Sequence, residues 1–246
     1  FAGRADLADG NWYAMRNRAT NEPFRFYSWD AERTLRATDE DQSEVTGTNS
    51  PAFLYGKLRE NAEFRRSFGD RVQRHFAAGG PLTAEATAGR WTQLAAVLGD
   101  AVVVESARWG DYRRDVHPFD GGPYELYTLD DHWITESQRL AGEYFAQRSD
   151  VVVNQFLAAG LFPPLEAPTL SQHGGLIEPE SSLILTAPQG AVYYTTGGSD
   201  PWRFGEGVDP GASLYAGPVP LAGNAIIKAR ALDDGQWSAM TETTFF

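Results

Sequence analysis

The chain has 246 residues, 42% apolar and 22% charged, with a formal net charge of −12 and no cysteine. This is a globular composition, sufficient for one large domain or two of ordinary size. It excludes a collagen-like repeat, disulfide frameworks, thiolate zinc sites and a cysteine nucleophile. No apolar run reaches the roughly 18 residues of a membrane span, and acidic surplus without a basic stripe repels a phosphate backbone, so neither a membrane span nor a nucleic-acid partner is expected.

The chain opens on Phe1, with no Met and no signal-like apolar stretch, which reads as a fragment of a longer polypeptide whose export signal would lie upstream. Asn11 to Met15 and Phe24 to Trp29 are aromatic-rich and predict two short strands around the turn-like stretch Asn17 to Pro23. A polar surface loop follows, from Asp39 to Asn49. Ser50-Pro51 suits a helix start, and Phe64, Phe68, Val72 and Phe76 recur every four residues along one helical face. Thr83-Ala84-Glu85 opens a longer helix whose Leu94, Val97, Leu98, Ala101, Val102 and Val104 are expected to pack in the core. Trp133, Leu140, Tyr144 and Phe145 mark another helix. Ser149 is expected to cap a last one, Val151 to Ala159, which Gly160 ends.

Beyond Phe162-Pro163-Pro164 the composition changes. Arg203, Lys228 and Arg230 are the basic residues there, and Gly and Pro punctuate β-branched runs. The strands predicted are Leu183–Thr186, Ala191–Thr195, Ser213–Ala216, Asn224–Ala231 and Trp237–Phe245, with a turn at Asp233-Asp234-Gly235. The fold class expected is therefore multidomain α+β. Residues 1–165 form a mainly helical body with a short hairpin, 166–177 a linker, and 178–246 an all-β, small antiparallel sandwich, which the resemblance given below implies to be immunoglobulin-like.

Candidate chemistry lies near the amino end. Asp6 and Asn11 are separated by four residues, and Asp30 and Glu32 follow one hairpin later. Phosphoryl transfer uses such a set: a carboxylate orients the acceptor hydroxyl, and an amide oxygen and a second carboxylate hold a divalent ion. Taken alone, the residues better suit a turn built by Asp6, Asp9, Gly10 and Asn11, with Asp30 and Glu32 as a solvated strand end or ion-pair partners of Arg33 or Arg36.

The runs Asn11-Trp12-Tyr13-Ala14-Met15-Arg16 and Phe24-Arg25-Phe26-Tyr27-Ser28-Trp29-Asp30-Ala31-Glu32 resemble the end of the catalytic domain of the spore-coat protein H (CotH) kinase family. Arg108-Trp109-Gly110-Asp111-Tyr112 and Ala159-Gly160-Leu161-Phe162-Pro163 are similar to stretches of bacterial members. The resemblance spans roughly residues 1–165, a kinase-like C-lobe fragment. It implies Asp6 as the catalytic-loop aspartate, Asn11 and Asp30 as ligands of Mg²⁺ or Mn²⁺, and Glu32 as support for the metal from behind its direct ligands. The family favours Asn and Trp where this chain has Arg4 and Leu7.

The activity implied is that of an atypical protein kinase moving the γ-phosphate of ATP to Ser/Thr hydroxyls of a protein substrate. Such kinases grip the nucleotide with a lysine on an upstream small lobe. The only lysines here are Lys57 and Lys228, placed on a helix and a distant strand, so the fragment alone is expected to be inactive.

Ala191 to Pro201 and Ile226 to Ala231 are similar to the chitobiase/β-hexosaminidase C-terminal module, which accompanies secreted bacterial enzymes and implies an extracellular or cell-envelope location. Tyr193, Tyr194, Trp202 and Trp237 suit either carbohydrate contact through the sandwich or packing, and packing is the reading preferred. His75, His117, His132 and His173 show no metal-ligand spacing. The alternatives are a non-catalytic extracellular surface or carbohydrate-binding scaffold and, ranked last, a glycosidase acid pair.

Overall fold

A computed structural model describes residues 1–3, 10–115, 125–178 and 181–246. A hairpin opens the chain: β1 (Trp12–Met15) pairs antiparallel with β2 (Arg25–Ser28), in the register Trp12↔Ser28 to Met15↔Arg25. Alternation stacks Tyr13 on Tyr27, with ring centroids 5.2 Å apart, and sets Trp12 near Phe26. Asn17 Oδ1 accepts the Ala19 N–H in the connecting turn.

Helices follow. α1 (Pro51–Leu58) begins with proline at its first turn, although Ser50 makes no side-chain cap bond. α2 (Ala62–Phe76) is capped by Asn61, whose side chain accepts from Phe64 N, and α3 (Ala84–Trp109) by Thr83, which accepts from Ala86 N. Gly110 ends α3 where a Cβ would come within 2.6 Å of the carbonyl oxygens of Ser106 and Tyr127, so only glycine lets those backbones meet. The short α4 (Tyr112–Asp115) follows. A π-helical turn Leu129–Ile134, α5 (Thr135–Arg139), a second π-helical turn Leu140–Tyr144 and α6 (Phe145–Ala158) then run directly into one another.

Buried Leu140, Tyr144 and Phe145 receive Phe1, Leu35, Ala88 and Trp91. Phe156 joins this body to α2 through edge-on contacts with Phe68 and Phe76. Two expectations change. Ser149 is not a cap: it lies inside α6, and its buried Oγ donates to Leu82 O at 2.5 Å, a long-range bond that sequence cannot reveal. Leu94, Val97, Leu98 and Val104 are exposed, not core, with Val97 reaching 77%. The buried core formed by Leu140, Tyr144 and Phe145 takes α3 at Ala88 and Trp91, on its amino-terminal side, and these four later side chains stay outside it.

The carboxyl-terminal part is built of antiparallel sheets. β11 (Ala225–Asp233) pairs with β6 (Ala191–Thr195) on one side and with β13 (Thr241–Phe245) and β12 (Gln236–Trp237) on the other, and β9 (Ser213–Leu214) extends the sheet from β6. Smaller pairs are β3 (Thr169–Leu170) with β5 (Leu185–Thr186), β4 (Ser182–Leu183) with β10 (Val219–Pro220), and β7 (Trp202–Arg203) with β8 (Gly207–Val208). Leu170, Leu183, Leu185, Val192, Val219, Ile227 and Phe245 pack between the layers. β3 therefore lies within the stretch expected to be a linker, yet contributes Leu170 to this core. Gly174, at φ +87, lets the same stretch approach β13, where Gly175 bonds Thr244 and Phe246.

The period of two along β11 points Ile227, Ala229 and Ala231 into the sandwich and Arg230 out of it, yet Arg230 is 0% exposed. The helical body covers that outer face, through Asp70 of α2.

Candidate functional site

The hairpin places two of the sequence-predicted site residues at its open end. Asn11 precedes β1 and Asp30 follows β2 by two residues, and the Trp29 N–H donates to Asn11 O at 3.2 Å, which continues the register to that end. Asn11 is half-buried, whereas Asp30 and Glu32 are exposed. Asp30 has φ +54, a left-handed conformation that aspartate tolerates better than most residues and that turns the chain out of the strand direction. Asp6 lies outside the described residues. Among those described, no three His, Cys, Asp or Glu side chains gather as metal ligands. Asn11 and Asp30 carry oxygen donors of the hard type magnesium prefers.

The histidines stay apart from this end. His132 Nδ1 accepts the Thr128 N–H at 3.1 Å, and Nε2 stands 3.1 Å from Glu125 Oε1, so both ring nitrogens are engaged. His117 lies outside the described residues. Lys57 pairs with Glu60 on the surface and Lys228 with Glu242 on the sandwich.

The densest electrostatic arrangement is one the sequence did not disclose. Arg230 uses all five of its N–H donors: Nε and Nη2 to Asp200, Nη1 and Nη2 to Asp70, and Nη1 also to Ser238 O, all at 2.7–2.9 Å. Asp70 Oδ1 further accepts the Met240 N–H at 2.9 Å, and Arg66 Nη1 donates to Asp200 Oδ2 at 2.8 Å. Burial pushes the Asp200 carboxyl up, but the hydrogen bonds and charge of Arg230, the Trp202 N–H and the charge of Arg66 outweigh it and hold the group below its ordinary value. Arg230 is destabilised as a cation by the same burial, and the two carboxylates more than restore it. The signal available in the sequence was a lone arginine in the apolar run Ile226 to Ala231.

Trp202 stacks on Trp237 at 5.6 Å and 13°, and the guanidinium carbons of Arg66 and Arg230 lie 5.7 and 5.5 Å from its centroid. Tyr193 in turn lies 5.8 Å from Trp237. These rings are packed on protein neighbours, in keeping with the packing reading.

Residues 183–245 match the Fn3-associated family model. The matched strands, β5 to β13, carry most of the sandwich core and both Asp200 and Arg230, so the Fn3-associated module itself brings the residues that grip α2. The match covers about a quarter of the chain and includes none of the helical body. No curated protein and no solved structure matches the chain.

Proposed function

We propose that the helical body is the C-terminal part of a CotH-like protein kinase, which moves the γ-phosphate of ATP to Ser/Thr hydroxyls of a protein substrate. The Fn3-associated sandwich, of the chitobiase C-terminal type, tethers or presents the enzyme outside the cell or in its envelope. What supports this reading is the placement of Asn11, before β1, and Asp30, after β2, at one end of the β1–β2 hairpin.

In this reading Asp6 orients the acceptor hydroxyl and receives its proton. The Asn11 amide oxygen and the Asp30 carboxylate hold Mg²⁺ or Mn²⁺, with Glu32 bracing them. The metal and ATP supply charge neutralisation and the phosphoryl group. With Lys57 and Lys228 both engaged elsewhere, phosphate grip comes from a lysine-bearing lobe upstream, and the 246 residues by themselves do not transfer phosphate.

The test uses the chain extended upstream to include such a lobe, incubated with γ-labelled ATP, Mn²⁺ and a Ser-containing protein. Label should appear and be lost in Asp30→Ala. On the 246-residue chain, Mn²⁺ should broaden the amide signals at the open end of the hairpin, and Asn11→Ala with Asp30→Ala should abolish the effect. Transfer that survives Asp30→Ala defeats the metal role. Glycan binding indifferent to both substitutions, without nucleotide binding, favours the non-catalytic scaffold.

A further inference from the structure

Among the described residues two guanidiniums are almost completely withdrawn from solvent, and they are treated very differently. Arg230, 0% exposed, has two carboxylates and five hydrogen bonds. Arg148 in α6 is 1% exposed. Its Nε donates to Phe1 O at 2.6 Å and its Nη1 to Thr38 O at 2.5 Å, and it stands beside the Tyr144 hydroxyl. No carboxylate among the described residues forms an ion pair with it. The nearby Glu40 carboxylate instead accepts a hydrogen bond from Gln42. A buried cation held only by neutral carbonyls and a hydroxyl is costly unless an anion joins it.

Arg148 lines a half-open cavity of about 270 Å³ between Phe1, the loop before α1, and helices α1, α2 and α6. The rest of the α6 wall comes from Val152, Gln155 and Phe156, spaced to share one helical face with Arg148. α1 contributes Ala52 and Tyr55. A second observation concerns Ser43. It is 3% exposed and lines the same cavity, and its Oγ has no hydrogen-bond partner. Its neighbouring groups are satisfied, since Ser43 O accepts from the Tyr55 hydroxyl and Ser43 N donates to Asp41. The orphaned hydroxyl and the neutrally partnered guanidinium thus belong to one largely apolar cavity.

We propose that this cavity is a binding site for a monocarboxylate with an apolar tail, with Arg148 and Ser43 donating to the carboxylate and the aromatic and aliphatic walls taking the tail. A cavity of ~150 Å³ accommodates benzene, so about 270 Å³ suits a ligand of about eight to twelve non-hydrogen atoms. The site is separate from Asn11 and Asp30 and does not depend on the kinase reading.

Octanoate is the probe, titrated calorimetrically into the 246-residue chain against acetate and 1-octanol. Octanoate should bind saturably with one site per chain. Acetate, which lacks the tail, and octanol, which lacks the charge, should each bind at least tenfold more weakly. Arg148→Gln should weaken octanoate at least tenfold, Ser43→Ala severalfold, and Ala52→Leu, which fills the cavity, should abolish binding. Should Arg148→Gln fail to fold, the octanol comparison and Ala52→Leu decide. The proposal is overturned if octanol binds as tightly as octanoate, if Ala52→Leu leaves the affinity unchanged, or if octanoate shows no saturable binding up to its solubility limit.

Discussion

The sandwich and the helical body solve the burial problem in different ways. Along β11, Ile227, Ala229 and Ala231 are all 0% exposed, because pairing with β6 and β13 fixes the strand and a second layer covers its inner face. Along α3, equally apolar Leu94, Val97 and Val104 stand in solvent. The hairpin does the same with Tyr13, Phe24, Phe26 and Trp29. An apolar stripe on a helix records a capacity for burial, whereas in a sheet the ladder supplies much of the geometry that realises it. The two regions meet where the sandwich sends a charged residue outward and α2 answers with a carboxylate.

That junction gives the largest expected effect. Arg230→Ala leaves Asp70 and Asp200 without their shared cation, and should cost about 3–5 kcal/mol in urea denaturation. A loss below about 1 kcal/mol would mean that the two parts are joined by something else.

Within the sandwich, Leu183→Ala at a 1% exposed site should cost about 2–5 kcal/mol. Val97→Ala on α3 should stay within about 0.5 kcal/mol. Comparable losses would show that α3 is covered in solution, and would erase the contrast between the regions.

Acid should act through the same junction. The Asp200 carboxyl is held below its ordinary 3.8, so the stability it contributes is fully present above that value and disappears as pH falls through the depressed one. Asp200→Asn should flatten this acid limb in pH-dependent thermal unfolding, and an unchanged limb would assign it to other carboxylates.

Helix caps give the smallest effects. Asn61→Ala and Thr83→Ala should each cost about 1 kcal/mol. Ser50→Ala should cost close to nothing, because Ser50 makes no cap bond. Circular dichroism melts distinguish these outcomes.

Local patterns made much of the architecture readable in advance. Gly- and Asp-punctuated alternation located β6, β11 and β13, and the aromatic pairs located the hairpin, because these signals lie within a few residues of one another. The same holds for Thr83 as a helix start. What failed was long-range. Ser149 resembles a cap until Leu82 O is brought against it, and the α3 stripe resembles core until Leu94, Val97, Leu98 and Val104 are found exposed. At the candidate site, hairpin register explains why Asn11 and Asp30 stand at one end of the hairpin, while Asp6 lies outside the described residues. Arg148 gave no warning at all. In sequence it is one more arginine on a helix, and the carbonyls that hold it belong to residues 1 and 38.

The outward placement of Arg230 has a practical corollary. A sandwich transplanted onto a foreign protein would keep Asp200 but leave Asp70 behind, and the guanidinium would face its new neighbour with half its acceptors gone. Successful grafting therefore calls for a host helix carrying an aspartate at the matching position, or for an apolar replacement of Arg230 and Asp200 together.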